Sequence, residues 1–148
     1  MASIVIREQN ILTVEKGIIC HQVNMQGKMG KGIALEIRNK WPVVYQKYLE
    51  ALNQNKAKLG SVQGVEVENQ LVVANIFAQF NYGNDMRHTN YEALAVALES
   101  LSNVTKETSL IHIPYNMGCG NAGGCWRIVY EIIRESLKNR NVIICKKV

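Results

Sequence analysis

Five of the six residues in Gly27-Lys28-Met29-Gly30-Lys31-Gly32 are glycine or lysine, and the segment lies between an apolar, strand-like run and a helix-like one. Glycine lets backbone come close to a ligand, lysine adds positive charge, and a following helix N-terminus offers N–H groups: the combination suits a phosphate. A second cluster, Gly118-Cys119-Gly120-Asn121-Ala122-Gly123-Gly124, follows the run Ile111 to Pro114 and also precedes a helix-like stretch. Two such loops frame a diphosphate. The first loop is not an ATP-type P-loop: Gly30-Lys31 is followed by Gly32 where a magnesium-binding hydroxyl is required, and the leading glycine would fall at Met25. It does not fit the dinucleotide fingerprint either, because Ile33-Ala34-Leu35 follows Gly30-x-Gly32. Gly118-x-Gly120-x-x-Gly123 does fit that pattern, but late in the chain. Beside the first loop stands His21, whose ordinary pKa of about 6.5 suits proton transfer; it is equally readable as a strand-end histidine held by hydrogen bonds. Cys125 opens the helix after the second loop, where a thiol pKa can be lowered. Asp85 and His88 share a polar loop, with no partner set by spacing.

Alternating elements must hold these loops. Strands are expected at Ser3 to Arg7, Gly17 to Gln22, Gln63 to Val67, Gln70 to Phe77, Leu110 to Ile113 and Asn141 to Cys145, with Glu68-Asn69 as a hairpin turn. Helices are expected at Gly32 to Lys40, at Val43 to Asn53 opened by Pro42, from a Thr89-x-x-Glu92 capping box, and at Trp126 to Lys138. Such alternation with one hairpin predicts an α/β fold, a three-layer α/β/α sandwich with a mixed central sheet, with ligands beyond the carboxyl ends of the strands. The 148 residues suit one domain, 1–148. At 47% apolar and 20% charged residues the chain is an ordinary globular one, and its net charge of +5 suits an anionic ligand. No dense basic run tracks a nucleic-acid backbone. Of the four cysteines, Cys20 and Cys145 sit in apolar runs, and no ligand spacing implies a metal. The N-terminal stretch is too polar for a signal peptide and no run is long enough to span a membrane, so a cytoplasmic protein is expected.

Val23-Asn24, Gly27-x-Met29-Gly30-x-Gly32-Ile33-Ala34 and the basic stretch ending in Trp41-Pro42 together resemble the first ligand loop of macrodomains. Ile113-Pro114-x-x-Met117-Gly118-Cys119-Gly120 with Trp126, and Thr89-x-Tyr91-Glu92-x-Leu94, are similar to the same family. The nearest branch holds terminal ADP-ribose glycohydrolases, the macrodomain antitoxin that removes ADP-ribose from DNA, and ADP-ribose 1″-phosphate phosphatases. The resemblance implies ADP-ribose or an ADP-ribosylated substrate as partner, with nucleic acid only as a modified substrate, no membrane partner and no cofactor. It implies that Met117, Gly118, Cys119, Gly120 and Asn121 wrap the diphosphate. Met29, Gly30, Lys31, Gly32 and Ile33 would face the distal ribose, with Asn24 touching it. Gln9-Asn10-Ile11 matches the adenine motif, with Asn10 in place of its acid and Ile11 following. Tyr82 and Tyr115 are candidates for a partly wet rim.

The glycohydrolase branch uses a lysine in the loop matching Gln79 to His88 and an aspartate after the second turn; this chain has neither. The catalytic candidates are therefore His21, which matches a phosphatase-branch position, Asn24 and Cys125. The expected function is ADP-ribose binding with hydrolysis, either de-ADP-ribosylation or ADP-ribose 1″-phosphate dephosphorylation. The alternative is a non-catalytic ADP-ribose-binding module. Plain nucleic-acid binding would rest on net charge alone.

Overall fold

A strand covered on both faces must be apolar at consecutive positions, and Ile18, Ile19 and Cys20 satisfy this in β2 (Gly17–Val23), which lies inside a six-stranded sheet. The computed structural model describes residues 2–147. Strands β1 (Ile4–Glu8), β2, β3 (Val62–Glu68), β4 (Leu71–Phe77), β5 (Leu110–Pro114) and β6 (Asn141–Lys146) run in the order β1-β6-β5-β2-β4-β3. All neighbours are parallel except the β3–β4 hairpin, so the sheet is mixed.

Alternation along each strand divides the core into two layers. Ile18, Cys20, Ile111 and Ile113 pack with Leu94, Ala97, Leu98 and Leu101 of α3 (Tyr91–Val104) and Val129 and Ile133 of α4 (Trp126–Ser136). On the other face Ile19, Val23, Val73 and Phe77 meet Ile37 of α1 (Gly32–Lys40) and Val44 and Tyr48 of α2 (Pro42–Asn53), with Trp41 between those helices. The expected three-layer α/β/α sandwich is thus the observed one. Cys20 and Cys145 are buried, and burial pushes their thiols up to about 12 and about 11. Among the described residues no helix is long and apolar enough to cross a membrane.

Two local expectations shift by a residue. The hairpin turn is Asn69-Gln70, because the ladder runs on to Glu68 through a bulge and Gln70 takes the positive φ of 66°. The cap of α3 is Asn90, whose side chain accepts from the Ala93 N–H at 2.9 Å. Thr89 is spent elsewhere: its hydroxyl donates to the Gly118 carbonyl at 2.6 Å. That diversion brings the start of α3 into the candidate site.

Candidate functional site

The first glycine loop leaves β2 at Asn24 and is tied down from within. Asn24 Oδ1 accepts from the Gln26 N–H at 2.9 Å and the Lys28 N–H at 3.3 Å, and its Nδ2 donates to the Lys28 carbonyl at 2.8 Å. The turn role and the ligand role therefore meet in one residue: Asn24 lines the cavity and keeps one amide N–H beyond those the loop consumes. Beneath it, the Tyr48 hydroxyl lies 2.7 Å from the Asn24 carbonyl and accepts from the Gly27 N–H at 3.1 Å, while Tyr45 donates to the Gly27 carbonyl at 2.9 Å. Tyr48 is fully buried, and burial pushes its phenol up to about 12. Tyr48→Phe keeps the ring in the core and orphans these loop groups. It should cost about 1–3 kcal/mol in urea unfolding and weaken ligand binding, with an unchanged far-UV spectrum.

The second glycine loop folds on itself. The Gly118 carbonyl accepts from the Gly124 N–H at 2.8 Å as well as from Thr89, and Gly118 takes a φ of 76°. The loop from Gln79 to Thr89 closes a third side. Gln79 and Thr89 form an isolated bridge, and the N–H groups of His88 and Thr89 both donate to the Ala122 carbonyl, at 2.8 and 3.2 Å. Asp85 and His88 pair at 2.8 Å, which holds the Asp85 carboxyl below its ordinary range.

Between these loops lies a cavity of about 640 Å³. Its walls expose backbone donors. Gly118, Gly120, Asn121 and Ala122 line it, and their N–H groups find no acceptor among the described residues. Across from them Gly30, Lys31 and the first turn of α1 do the same, as helix N-termini must. Two segments with unpaired N–H groups around one cavity are chemically suited to an anion. The ionisable side chains lining the cavity are Lys28, Lys31, Tyr82 and Tyr115, and none is acidic. Lys146 stands over the Tyr115 ring at 4.8 Å, adding positive charge behind that wall.

Of the residues singled out from sequence, the structure gathers Asn24, Gly30, Lys31, Gly32, Ile33, Tyr82, Tyr115, Met117, Gly118, Gly120 and Asn121 around this one cavity. Others lie elsewhere. His21 is fully buried on the α2 side of the sheet, with Nε2 2.6 Å from Asn75 Oδ1, and burial lowers its pKa to about 4. It does not reach the cavity, so it is not placed to exchange protons with a ligand there. Cys125 does cap α4, but its side chain is exposed outside the cavity lining. Asn10 caps a short 3-10 turn, its carbonyl oxygen already accepting from the Leu12 N–H at 3.0 Å, and Ile11 is core. Met29 is core, and Cys119 points back to the Met117 carbonyl at 3.4 Å with its thiol pushed up to about 11 by burial. Sequence reading passed over Gln22, Gln79 and Asn116, which line the cavity. A glutamine inside an otherwise apolar strand was the available signal for Gln22.

Among the described residues no group of three His, Cys, Asp or Glu is placed to hold a metal ion. A mixed sandwich with paired glycine loops around a cavity at its strand ends is an α/β architecture suited to a phosphorylated ligand. No family model matches the chain. It is 30% identical to a Bacteroides thetaiotaomicron protein of unknown function, with a TM-score of 0.89 over 98% of both chains. It is 28% identical to a macrodomain protein from Streptomyces coelicolor, with a TM-score of 0.82 over 99% of each. Among curated proteins it is 28% identical over 131 residues to a Thermus aquaticus DNA ADP-ribosyl glycohydrolase; the match takes in 87% of this chain and 36% of that protein. The chain has the macrodomain fold and is similar over nearly its whole length to a macrodomain protein.

Proposed function

We propose that residues 1–148 form a single macrodomain that binds ADP-ribose in this cavity and hydrolyses an ADP-ribose derivative at the distal ribose. The observation that carries the reading is the pair of cavity-lining segments whose backbone N–H groups have no partner among the described residues, Gly30 to Ala34 on one side and Gly118, Gly120, Asn121 and Ala122 on the other. The diphosphate lies between the rows. The remaining Asn24 N–H and the hydroxyls of Tyr82 and Tyr115 meet sugar hydroxyls. The name of the Thermus aquaticus relative supports removal of ADP-ribose from a target, and Lys28 and Lys31 beside the first loop suit a 1″-phosphate as well. Catalysis then consists of positioning: the loops fix the diphosphate and the ribose so that water attacks along one line. With His21 buried and Cys125 outside, proton transfer falls to water and the tyrosine hydroxyls. All four cysteines are free thiols, which supports a reducing, cytoplasmic setting.

The cavity's lack of a lining carboxylate, imidazole or thiol favours a second reading, a module that binds ADP-ribose without turning it over. Calorimetry with ADP-ribose, followed by turnover assays on an ADP-ribosylated peptide, ADP-ribosylated DNA and ADP-ribose 1″-phosphate, separates the two. The hydrolase reading expects turnover of at least one substrate, retained in His21→Gln once that variant is shown to be folded. Binding without turnover of any of the three leaves the module.

A further inference from the structure

The floor of the cavity carries a chain of hydrogen bonds that joins two of its walls. Gln79 Nε2 donates to the Asn81 carbonyl at 2.7 Å, and Gln22 Nε2 donates to Gln79 Oε1 at 2.7 Å. The same Gln22 Nε2 donates to Thr89 Oγ1 at 2.9 Å, and Thr89 donates to the Gly118 carbonyl. Both ends of this chain are backbone carbonyls, which only accept. That fixes every amide between them: Gln79 must present its oxygen to Gln22, and Gln22 must present its nitrogen to both neighbours. The consequence is an orphan. Gln22 Oε1 is buried with no hydrogen-bond partner and lies against Gly118, where a Cβ would come within 2.7 Å of it.

A buried unpaired oxygen is costly, and the ordering it supports offsets that cost. Here the order falls on the Gly118 carbonyl. Thr89 and Gly124 both hold it, in the loop whose Gly120, Asn121 and Ala122 line the cavity with N–H groups unpaired among the described residues. We propose that Gln22 is the positioning residue of the anion site: its two donated hydrogen bonds couple the Asn81–Tyr82 lip to the Gly118 turn and hold the second wall in its binding form. The inference rests on the ADP-ribose reading above. Gln22 lines the cavity floor and acts on the second wall through Thr89 and Gly118.

Gln22→Glu tests it, because a carboxylate accepts but does not donate. Facing Gln79 Oε1 and Thr89 it breaks the chain; protonation returns one donor and restores one of the two bonds. The side chains hydrogen-bonded to Gln22, those of Gln79 and Thr89, are not ionisable, and the ionisable side chains of the cavity it lines are Lys28, Lys31, Tyr82 and Tyr115. His88 and Asp85 sit farther along the same loop, so affinity is read as a ratio to wild type at each pH. By calorimetry with ADP-ribose, Gln22→Glu should bind roughly tenfold or more weakly than wild type at pH 8, from the loss of two buried hydrogen bonds. The ratio should narrow at pH 5.5, as one of the two bonds returns. Thr89→Val, of similar shape, should show the loss without the pH dependence. Wild-type affinity in Gln22→Glu at pH 8, or the same deficit at both pH values, overturns the proposal. So does wild-type affinity in Thr89→Val, which stands in if Gln22→Glu does not fold. If wild type itself binds no ADP-ribose, the functional reading fails separately. Hydrogen exchange at Gly120 to Ala122 without ligand then decides: exchange faster than wild type in Gln22→Glu at pH 8, and less so at pH 5.5, supports the positioning role, and equal exchange overturns it.

Discussion

Gly118→Ala should bind ADP-ribose at least about a hundredfold more weakly than wild type while keeping its secondary structure. Two independent costs add at this position. Gly118 sits at a φ of 76°, where an L side chain costs about 1–2 kcal/mol. A Cβ there would also stand 2.7 Å from Gln22 Oε1 and 3.0 Å from Thr89 Oγ1. Neither neighbour yields freely, because both are held in the Gln79–Gln22–Thr89 chain. Moving either one breaks a buried hydrogen bond worth about 1–3 kcal/mol. The Gly118 turn gives way first, and with it the row of N–H groups that receives the diphosphate. Gly120 provides the control: a Cβ at Gly120 meets nothing within 4 Å, so Gly120→Ala should leave thermal stability unchanged. Calorimetry on Gly118→Ala and thermal melts on both variants check this. Gly118→Ala binding within a few-fold of wild type would contradict it.

Acid should destabilise the protein through His21 by about 3 kcal/mol between pH 6.5 and 4. The structure fixes the tautomer. Gln63 Nε2 donates to the Lys47 carbonyl at 2.9 Å and Asn75 Nδ2 donates to Gln63 Oε1 at 3.0 Å, so Asn75 Oδ1 is left to accept from His21 Nε2. The proton is therefore on Nε2, and Nδ1 is bare, buried and without a partner. Protonating Nδ1 would bury an unpaired charge, which is why the folded pKa falls to about 4 from 6.5. As pH drops, the unfolded chain takes up the proton first. Stability from this group is whole above about 6.5 and is lost as pH falls towards the folded pKa of about 4. In urea unfolding, His21→Gln should lose several tenths to 2 kcal/mol at pH 7.5 but show a shallower decline from pH 7.5 to 4.5 than wild type. Equal declines in the two proteins would place the acid sensitivity elsewhere.

The fold was legible because its signals are local. Ile18-Ile19-Cys20 and Val142-Ile143-Ile144-Cys145 are too apolar for anything but covered strands, and Pro42 marks the break between α1 and α2. Both glycine loops were legible for the same reason, since each lies between one strand and one helix. What escaped was anything decided across the sheet. His21 and Gln22 are adjacent, and strand alternation sends them to opposite faces, but alternation alone does not say which face meets the cavity. His21 carried the more familiar chemistry, whereas the layer order turns Gln22 towards Gln79 and Thr89. Thr89 looked like a cap because of Glu92; only the approach of Gly118, 29 residues away, reveals its other partner. Asn10, matched to an adenine motif, also caps a 3-10 turn through its oxygen, a role its spacing did not announce.

The central claim is that ADP-ribose lies between the two glycine loops, and a crystal structure of the protein grown with ADP-ribose tests it most directly. The diphosphate should lie within hydrogen-bond distance of the Gly120 to Ala122 N–H groups on one side and of the α1 N-terminus on the other, with the distal ribose beside Asn24. A saturating concentration that leaves this cavity empty, or a ligand bound away from both loops, would contradict it.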